Sequence, residues 1–287
     1  MTARIIQSVD ELKAALAAFR HAGASIGLVP TMGALHAGHR RLIEHSVRDT
    51  TCTVVSVFVN PIQFNAAGDY QQYPRTLDDD ARLCGEAGAE IVFAPANEDM
   101  YPQPQRTFVD VEGVSERLCG AFRPGHFRGV ATVVLKLFNI VQPEVAYFGE
   151  KDAQQLAVIR RMAGDLNVPV LIVGVPIVRE ADGLAMSSRN RHLSVEERRI
   201  APSIYQSLLG IQARIAQGVS DSKQASSDAV SEMERQGLRV EYLEIVDPDS
   251  IQPVDRIAGP VLVACAVWLG ATRLIDNIAC TPASSRL

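Results

Sequence analysis

The stretch Leu28-Val29-Pro30-Thr31-Met32-Gly33-Ala34-Leu35-His36-Ala37-Gly38-His39 constrains this chain more than any other, because it joins an apolar strand to a helix through a turn holding two glycines and two histidines. Residues 25–29 read as a short strand, which Pro30 is expected to end because it cannot donate a ladder hydrogen bond. Gly33 and Gly38 permit backbone conformations that other residues resist. Beyond Gly38, the residues Leu42, Ile43 and Val47 fall on one side at helical spacing, which predicts a helix beginning near Gly38. His36 and His39 then stand at a helix N-terminus and face roughly the same way. Unpaired N–H groups and the helix dipole favour an anion there. Capping and surface roles are the alternative for such a pair. A zinc pair would need further ligands, and none of the five cysteines (Cys52, Cys84, Cys119, Cys265, Cys280) stands close enough to another to form a knuckle.

Around this turn, strand and helix patterns alternate as in doubly wound sheets. Residues 9–20 carry apolar Leu12, Leu16 and Phe19 at helical spacing, with Ser8 as N-cap and Glu11 three positions on. The β-branched run 53–59 suits a buried parallel strand. Residues 60–75 read as a long loop on that strand's C-terminal side, where open α/β sheets bind ligands. Thr76 is expected to cap a helix whose first turn holds Asp78, Asp79 and Asp80. Carboxylates there are dipole partners, or help organise Mg²⁺ on a nucleotide. Residues 90–94 and 106–111 read as further strands. The glycine-rich turn 123–129, with Arg123 and His126, is either a second anion site or a connecting loop ahead of a helix over 130–141. Lys136 in that helix reads as a snorkelling side chain.

Residues 145–155 repeat the order strand, glycine, polar cluster and helix, with Lys151 a point charge suited to a phosphate. After a buried strand over 170–175 comes Met186-Ser187-Ser188-Arg189, whose hydroxyls and guanidinium match the donors a triphosphate needs, or else form an N-cap and a surface arginine. Beyond about residue 177 the alternation stops. Helices over 195–217 and 222–236 precede strands over 240–246, 261–269 and 272–279, the last two joined as a hairpin at Gly270-Ala271.

With 287 residues, 47 % apolar and 21 % charged, the chain suits one large or two modest globular domains, and two is the expectation. A formal charge of −5 disfavours nucleic acid or an anionic membrane as main partner, though a local site can still take a small anion. The first ten residues lack a signal-peptide core, and the longest apolar run, Val261–Leu269, is about half a membrane span. A cytoplasmic protein is expected, as the odd cysteine count also suggests.

His36-Ala37-Gly38-His39 resembles the His-x-Gly-His signature of the nucleotidyltransferase superfamily, and the run 30–39 as a whole resembles the pantothenate synthetase family. Blocks at 59–64, 148–155 and 178–191 extend that resemblance over nearly the whole chain. It implies an enzyme joining pantoate to β-alanine with ATP and Mg²⁺, releasing AMP and pyrophosphate through an enclosed pantoyl adenylate. It also implies an α/β fold with a Rossmann-like domain (1–177) binding nucleotide and pantoate, a smaller α+β domain (178–287) closing over ATP, and a homodimer. In that family pattern His36, His39, Lys151, Ser187, Ser188 and Arg189 are catalytic. ATP is bound by Met32, Gly38, His39, Phe148, Gly149, Lys151, Asp152, Val178, Met186, Ser187, Ser188 and Arg189, and pantoate by Pro30, Met32, Gln63 and Gln155. Asn60, Arg123 and His126 lie near the site, and Asp79 and Asp80 are the Mg²⁺ candidates. Two other readings remain at this point. Another nucleotidyltransferase would release pyrophosphate alone, and a non-catalytic regulatory module would bind ATP without turnover.

Overall fold

The computed structural model describes residues 2–65 and 67–282. The chain opens with β1 (Arg4–Ile6), α1 (Val9–His21), β2 (Ile26–Thr31), α2 (Ala37–Asp49) and β3 (Cys52–Val57). After a 3-10 turn, Pro61–Gln63, come α3 (Ala67–Gln72), α4 (Leu77–Glu86), β4 (Ile91–Phe93), α5 (Asn97–Met100) and α6 (Cys119–Phe122). Next are α7 (His126–Val141), β5 (Val145–Gly149), a 3-10 turn Glu150–Asp152, α8 (Ala153–Asp165) and β6 (Leu171–Val175). A third 3-10 turn, Ser188–His192, precedes α9 (Val195–Ile200), α10 (Ser203–Ala216), α11 (Ser222–Arg235), β7 (Arg239–Val246), β8 (Val261–Leu269) and β9 (Thr272–Cys280).

The chain divides into two compact units. The first comprises Met1–Val111, Arg123–Glu150 and Val158–Pro176; the second comprises Glu112–Phe122, Lys151–Ala157 and Ile177–Leu287. Two segments that precede residue 177 therefore group with the C-terminal part.

The first unit is built on a parallel sheet of order β1-β4-β3-β2-β5-β6. The chain steps outward from β2 to β3 and β4, then returns to place β5 on the other side of β2, so the strand order reverses beside β2. Open α/β sheets bind ligands at such a point, at the C-terminal strand ends. Val29, Val55, Val92 and Tyr147 from the strands pack with Ile43 of α2 and with Ala81 and Cys84 of α4. Burying such apolar surface stabilises by about 25 cal/mol per Å².

Pro30 does not end its strand. β2 pairs with β3 through Pro30↔Ser56 and Thr31↔Val57, but with β5 only at Gly27↔Val145 and Leu28↔Ala146. The Phe58 N–H donates to the Thr31 carbonyl at 3.1 Å, so Thr31 turns its backbone groups toward β3. Backbone direction alternates along a parallel strand, so Pro30 turns its missing donor toward β5. The ladder closes on one side and opens on the other, at the switch point.

The second unit is an antiparallel sheet of order β7-β8-β9 under two helices. Leu208, Ile211 and Ile215 of α10 and Ala225 and Met233 of α11 pack on Val263, Cys265 and Val267 of β8.

Several expected elements differ. Residues 60–75 are not an open loop: they hold a 3-10 turn and α3, and Phe64 packs edge-on to Tyr70 and Tyr73 at centroid distances of 5.6 and 5.9 Å. No strand forms over 106–111, where the Val109 N–H donates instead to the Thr132 hydroxyl of α7 at 3.0 Å. The helix expected over 195–217 breaks at Ala201-Pro202. Proline lacks the N–H and clashes with the carbonyl four residues back. β6 is an edge strand with Leu171 63 % exposed, since it pairs only with β5. Among the described residues, no helix is long and apolar enough to cross a membrane.

Candidate active site

The turn after β2 is held by a side chain far away in sequence. Gly33 and Ala34 both take positive φ, 84° and 51°, which aims successive backbone N–H groups inward. Asp80 of α4, 2 % exposed, receives them: Oδ2 accepts from Ala34 N at 3.0 Å and Oδ1 from Leu35 N at 2.7 Å. The Thr76 hydroxyl donates to Asp80 Oδ2 at 3.2 Å, so Thr76 serves the carboxylate instead of capping α4 through its side chain. At the strand end the Thr31 hydroxyl donates to the Ser56 carbonyl at 2.6 Å and accepts from Gly33 N at 3.2 Å.

This turn delivers the two histidines to the head of α2, where they cap the helix reciprocally. His36 Nδ1 accepts from the Gly38 N–H at 3.1 Å, and His39 Nδ1 accepts from the His36 N–H at 3.3 Å. The rings lie 4.1 Å apart between centroids. With Nδ1 accepting in both, each ring carries its proton on Nε2, as a hydrogen-bond donor. Gly38 is required for this fold-back: a Cβ there would sit 2.8 Å from His36 Cε1 and 3.0 Å from His36 Nδ1.

Beside the turn, a buried amide pair fixes the orientation of Gln63. Gln63 Nε2 donates to the Met32 sulfur at 2.9 Å, and its Oε1 accepts from Asn60 Nδ2 at 3.0 Å. Asn60, 1 % exposed, also donates to the Gly129 carbonyl at 3.1 Å and accepts from the Tyr101 hydroxyl at 2.7 Å. Burial pushes the Tyr101 hydroxyl above the usual phenol range, which keeps it a donor. α7 approaches closely because Gly129 has no side chain; a Cβ there would meet the Ile62 carbonyl at 2.5 Å and Gln63 Cα at 2.7 Å. His126 Nδ1 pairs with the Gln63 carbonyl at 3.0 Å and its Nε2 with Arg123 at 3.1 Å, so these two residues back the Gln63 segment. A cavity of about 320 Å³, lined by Met32, Val57, Phe58, Tyr70, Asp80 and Asn97, opens at the C-terminal ends of β2, β3 and β4.

The second unit carries its own cluster. A hairpin formed by Met186 N donating to the Val178 carbonyl (2.9 Å) and Glu180 N donating to the Leu184 carbonyl (2.8 Å) leads into Ser187. Ser187 caps the turn Ser188–His192, its hydroxyl accepting from Arg189 N at 3.3 Å. Lys151, Ser187, Arg189 and Asp276 line one cleft of about 10 Å³, room for no more than a single water. Arg179 and Arg273 nearby are neutralised by Asp276 at 2.7 Å and Glu241 at 2.5 Å. Lys151 and Arg189 make no ion pair within 4 Å among the described residues, and Asp276, already paired with Arg179, feels the Lys151 charge from a longer distance.

Comparison with known proteins decides the family. The model for pantoate-beta-alanine ligase matches residues 4–279. The chain belongs to that family. It is 52 % identical over 276 residues to a pantothenate synthetase of Heliobacterium modesticaldum, covering 96 % of this chain and 98 % of the relative. The pantothenate synthetase of Acetivibrio thermocellus is 49 % identical over 276 residues, with the same coverage. Among solved structures, the pantothenate synthetase of Thermus thermophilus superposes with a TM-score of 0.89 at 47 % identity over 96 % of this chain and 98 % of that one. The pantoate-beta-alanine ligase of Francisella tularensis, complexed with beta-gamma ATP and β-alanine, gives 0.79 at 31 % identity over 96 % and 97 %.

Within this ligase fold, the first unit brings together Pro30, Met32, His36, Gly38, His39, Asn60 and Gln63, backed by Arg123 and His126, with Phe148 and Gly149 at the end of β5. Lys151, Asp152, Gln155, Val178, Met186, Ser187, Ser188 and Arg189 all fall in the second unit. Asp79 and Asp80 do not share a site. Asp79 is exposed and pairs with Arg82 at 2.7 Å, whereas both oxygens of Asp80 are occupied by the ligase turn. Among the described residues, no three His, Cys, Asp or Glu side chains cluster as a metal site. Sequence reasoning missed the clamp of Asp80, the support of Asn60 by Tyr101, and Gln154. Gln154 Nε2 donates to the carbonyls of Val114 (2.9 Å) and Arg117 (2.7 Å), and its Oε1 accepts from Cys119 N at 3.0 Å. No local pattern marks such residues, since each acts across 35 or more positions of chain.

Proposed function

We propose that the protein condenses pantoate with β-alanine at the expense of ATP, giving pantothenate, AMP and pyrophosphate. The observation that carries this reading is the reciprocal histidine cap at the head of α2, which leaves Nε2 as the protonated ring nitrogen of both histidines at a helix N-terminus beside the sheet's switch point. The pantoate carboxylate attacks the α-phosphorus of ATP in line, and the bond to the bridging oxygen breaks to release pyrophosphate. The β-alanine amine then attacks the carbonyl carbon of the adenylate, and AMP leaves with its bonding pair. Adenylation is needed because a carboxylate would otherwise expel oxide.

His36 and His39 donate to phosphate oxygens as charge develops there, a preorganised stabilisation that requires no reorganisation during reaction. Lys151, Ser187, Ser188 and Arg189 hold the triphosphate, and Met32, Gly38, Phe148, Gly149, Asp152, Val178 and Met186 complete the nucleotide site. Gln63 and Gln155 hold pantoate, with Pro30 and Met32 against its carbon skeleton. Mg²⁺ enters with the triphosphate as part of the substrate, keeping most of its water. The reading includes a homodimer in the cytoplasm, to be checked by sedimentation.

Product analysis tests it. Pyrophosphate release should require pantoate, and free AMP should appear in step with added β-alanine. Pyrophosphate without pantoate dependence would point to another acceptor, and ATP binding without turnover to a regulatory module.

A further inference from the structure

The β9 strand carries two adjacent polar side chains in the motif-poor part of the chain, Asp276 (4 % exposed) and Asn277 (6 % exposed). Asp276 lines the second unit's cleft, and Asn277 bonds the backbone of Lys151, another of its lining residues. Asp276 holds Arg179 in a two-pronged pair, with NH1 donating to Oδ2 at 2.7 Å and NH2 to Oδ1 at 2.9 Å. Arg179 continues to the Gly183 carbonyl at 3.1 Å and the Asn277 carbonyl at 3.3 Å, and its guanidinium stacks 3.6 Å from the Tyr205 ring centre. It is thus tied to β9, to α10 and to the tip of its own hairpin. That hairpin, closed by the Arg179↔Ala185 bridge, runs directly into Met186-Ser187-Ser188-Arg189. Asn277 Nδ2 meanwhile donates to the Lys151 carbonyl at 2.9 Å.

We propose that Asp276 and Asn277 are positioning residues for the nucleotide, fixing the Ser187–Arg189 segment through Arg179 and the Lys151 segment directly, so that one two-residue register on β9 sets the spacing of both cation sources. This rests on the reading that Lys151 and Arg189 take the triphosphate. The chemistry suits the role. A planar guanidinium gripped by a carboxylate has one geometry, whereas an apolar contact would let the hairpin slide. A pair taken out of water gains little net stability, so orientation is its more informative consequence.

The test compares steady-state constants of the full chain and its variants for each substrate. Asp276→Asn and Asn277→Asp should each raise the KM for ATP about tenfold or more, with the KM for pantoate held within about twofold. The double variant Arg179→Met/Asp276→Leu removes the unpaired buried charge. It should melt within a few degrees of the parent and still show the raised KM for ATP. A parental KM for ATP in that folded double variant, or equal losses for all three substrates, would overturn the proposal. Arg189→Ala is measured alongside. If it alone raises the KM for ATP, the proposal falls and the functional reading stands; if it too is unchanged, the reading of Arg189 falls and takes the proposal with it.

Discussion

Replacing Asp80 with alanine separates a clamp from a metal ligand. The carboxylate accepts from two backbone N–H groups at 3.0 and 2.7 Å and from the Thr76 hydroxyl at 3.2 Å, at 2 % exposure. Removing it leaves the Ala34 and Leu35 N–H groups buried without an acceptor, at about 1–3 kcal/mol each. A water entering the vacated space offsets part of this, so a loss of roughly 3 kcal/mol in unfolding free energy is expected. Asp80→Asn keeps one oxygen and should lose about half as much, while Asp79→Ala, at an exposed carboxylate, should stay within about 0.5 kcal/mol of the parent. Urea unfolding measures the order. Because the turn carries His36 and His39, kcat of Asp80→Ala should fall by about a hundredfold, the scale of an ångström's misplacement. An unchanged unfolding midpoint, together with a raised Mg²⁺ requirement for turnover, would show that Asp80 serves the metal instead and would refute the clamp.

Other expectations follow from the same geometry. Gly129→Ala must displace the Ile62 carbonyl and Gln63 Cα; it should cost about 1–3 kcal/mol and raise the KM for pantoate more than that for ATP, as steady-state kinetics can check. His39→Ala should lose about 1 kcal/mol of capping and reduce kcat by about 10²–10³. His39→Asn restores an acceptor near Nδ1, so it should recover the melting temperature but not the turnover; parental turnover would sink the role of Nε2. Burial pushes the Cys52 and Cys84 thiols up to about 12 and Cys280 to about 11. Unfolded thiols ionise from about pH 8.5 upward, so the native state binds more protons above that value and stability falls as pH rises, by up to about 1.4 kcal/mol per thiol per pH unit. Urea midpoints at about pH 8 and pH 10 should show the drop, and native alkylation at the lower value should reach the half-buried Cys119 first; equal midpoints would contradict this.

The turn at 28–39 was legible because its chemistry is local: strand, glycine, histidine and helix lie within a dozen positions. The alternation of elements was legible for the same reason, as hydrophobic period is a short-range signal. What escaped depends on distance or direction. Pro30 shows that it lacks a donor, but not that the missing donor faces β5, where its loss opens the sheet. Residues 106–111 have a strand's apolar pattern and no strand to pair with, which only the fold can reveal. Residues 170–175 are as apolar as a central strand yet form an edge. Asp80 reads as one of three acids at a helix start, and only the turn 45 residues earlier distinguishes it from Asp79. Pro202 is the exception: the break it forces between α9 and α10 was visible in the chain itself.

The central claim is that pantoate attacks the α-phosphorus, and the fate of its carboxylate oxygen tests this most directly. With pantoate labelled by ¹⁸O in both carboxylate oxygens, attack forms a P–¹⁸O–C bridge, and the amine then cleaves its C–¹⁸O bond. Mass spectrometry should find one ¹⁸O in AMP and the other in the amide of the product. Label in inorganic phosphate, with ADP in place of AMP, would place the attack at the terminal phosphorus and contradict the account.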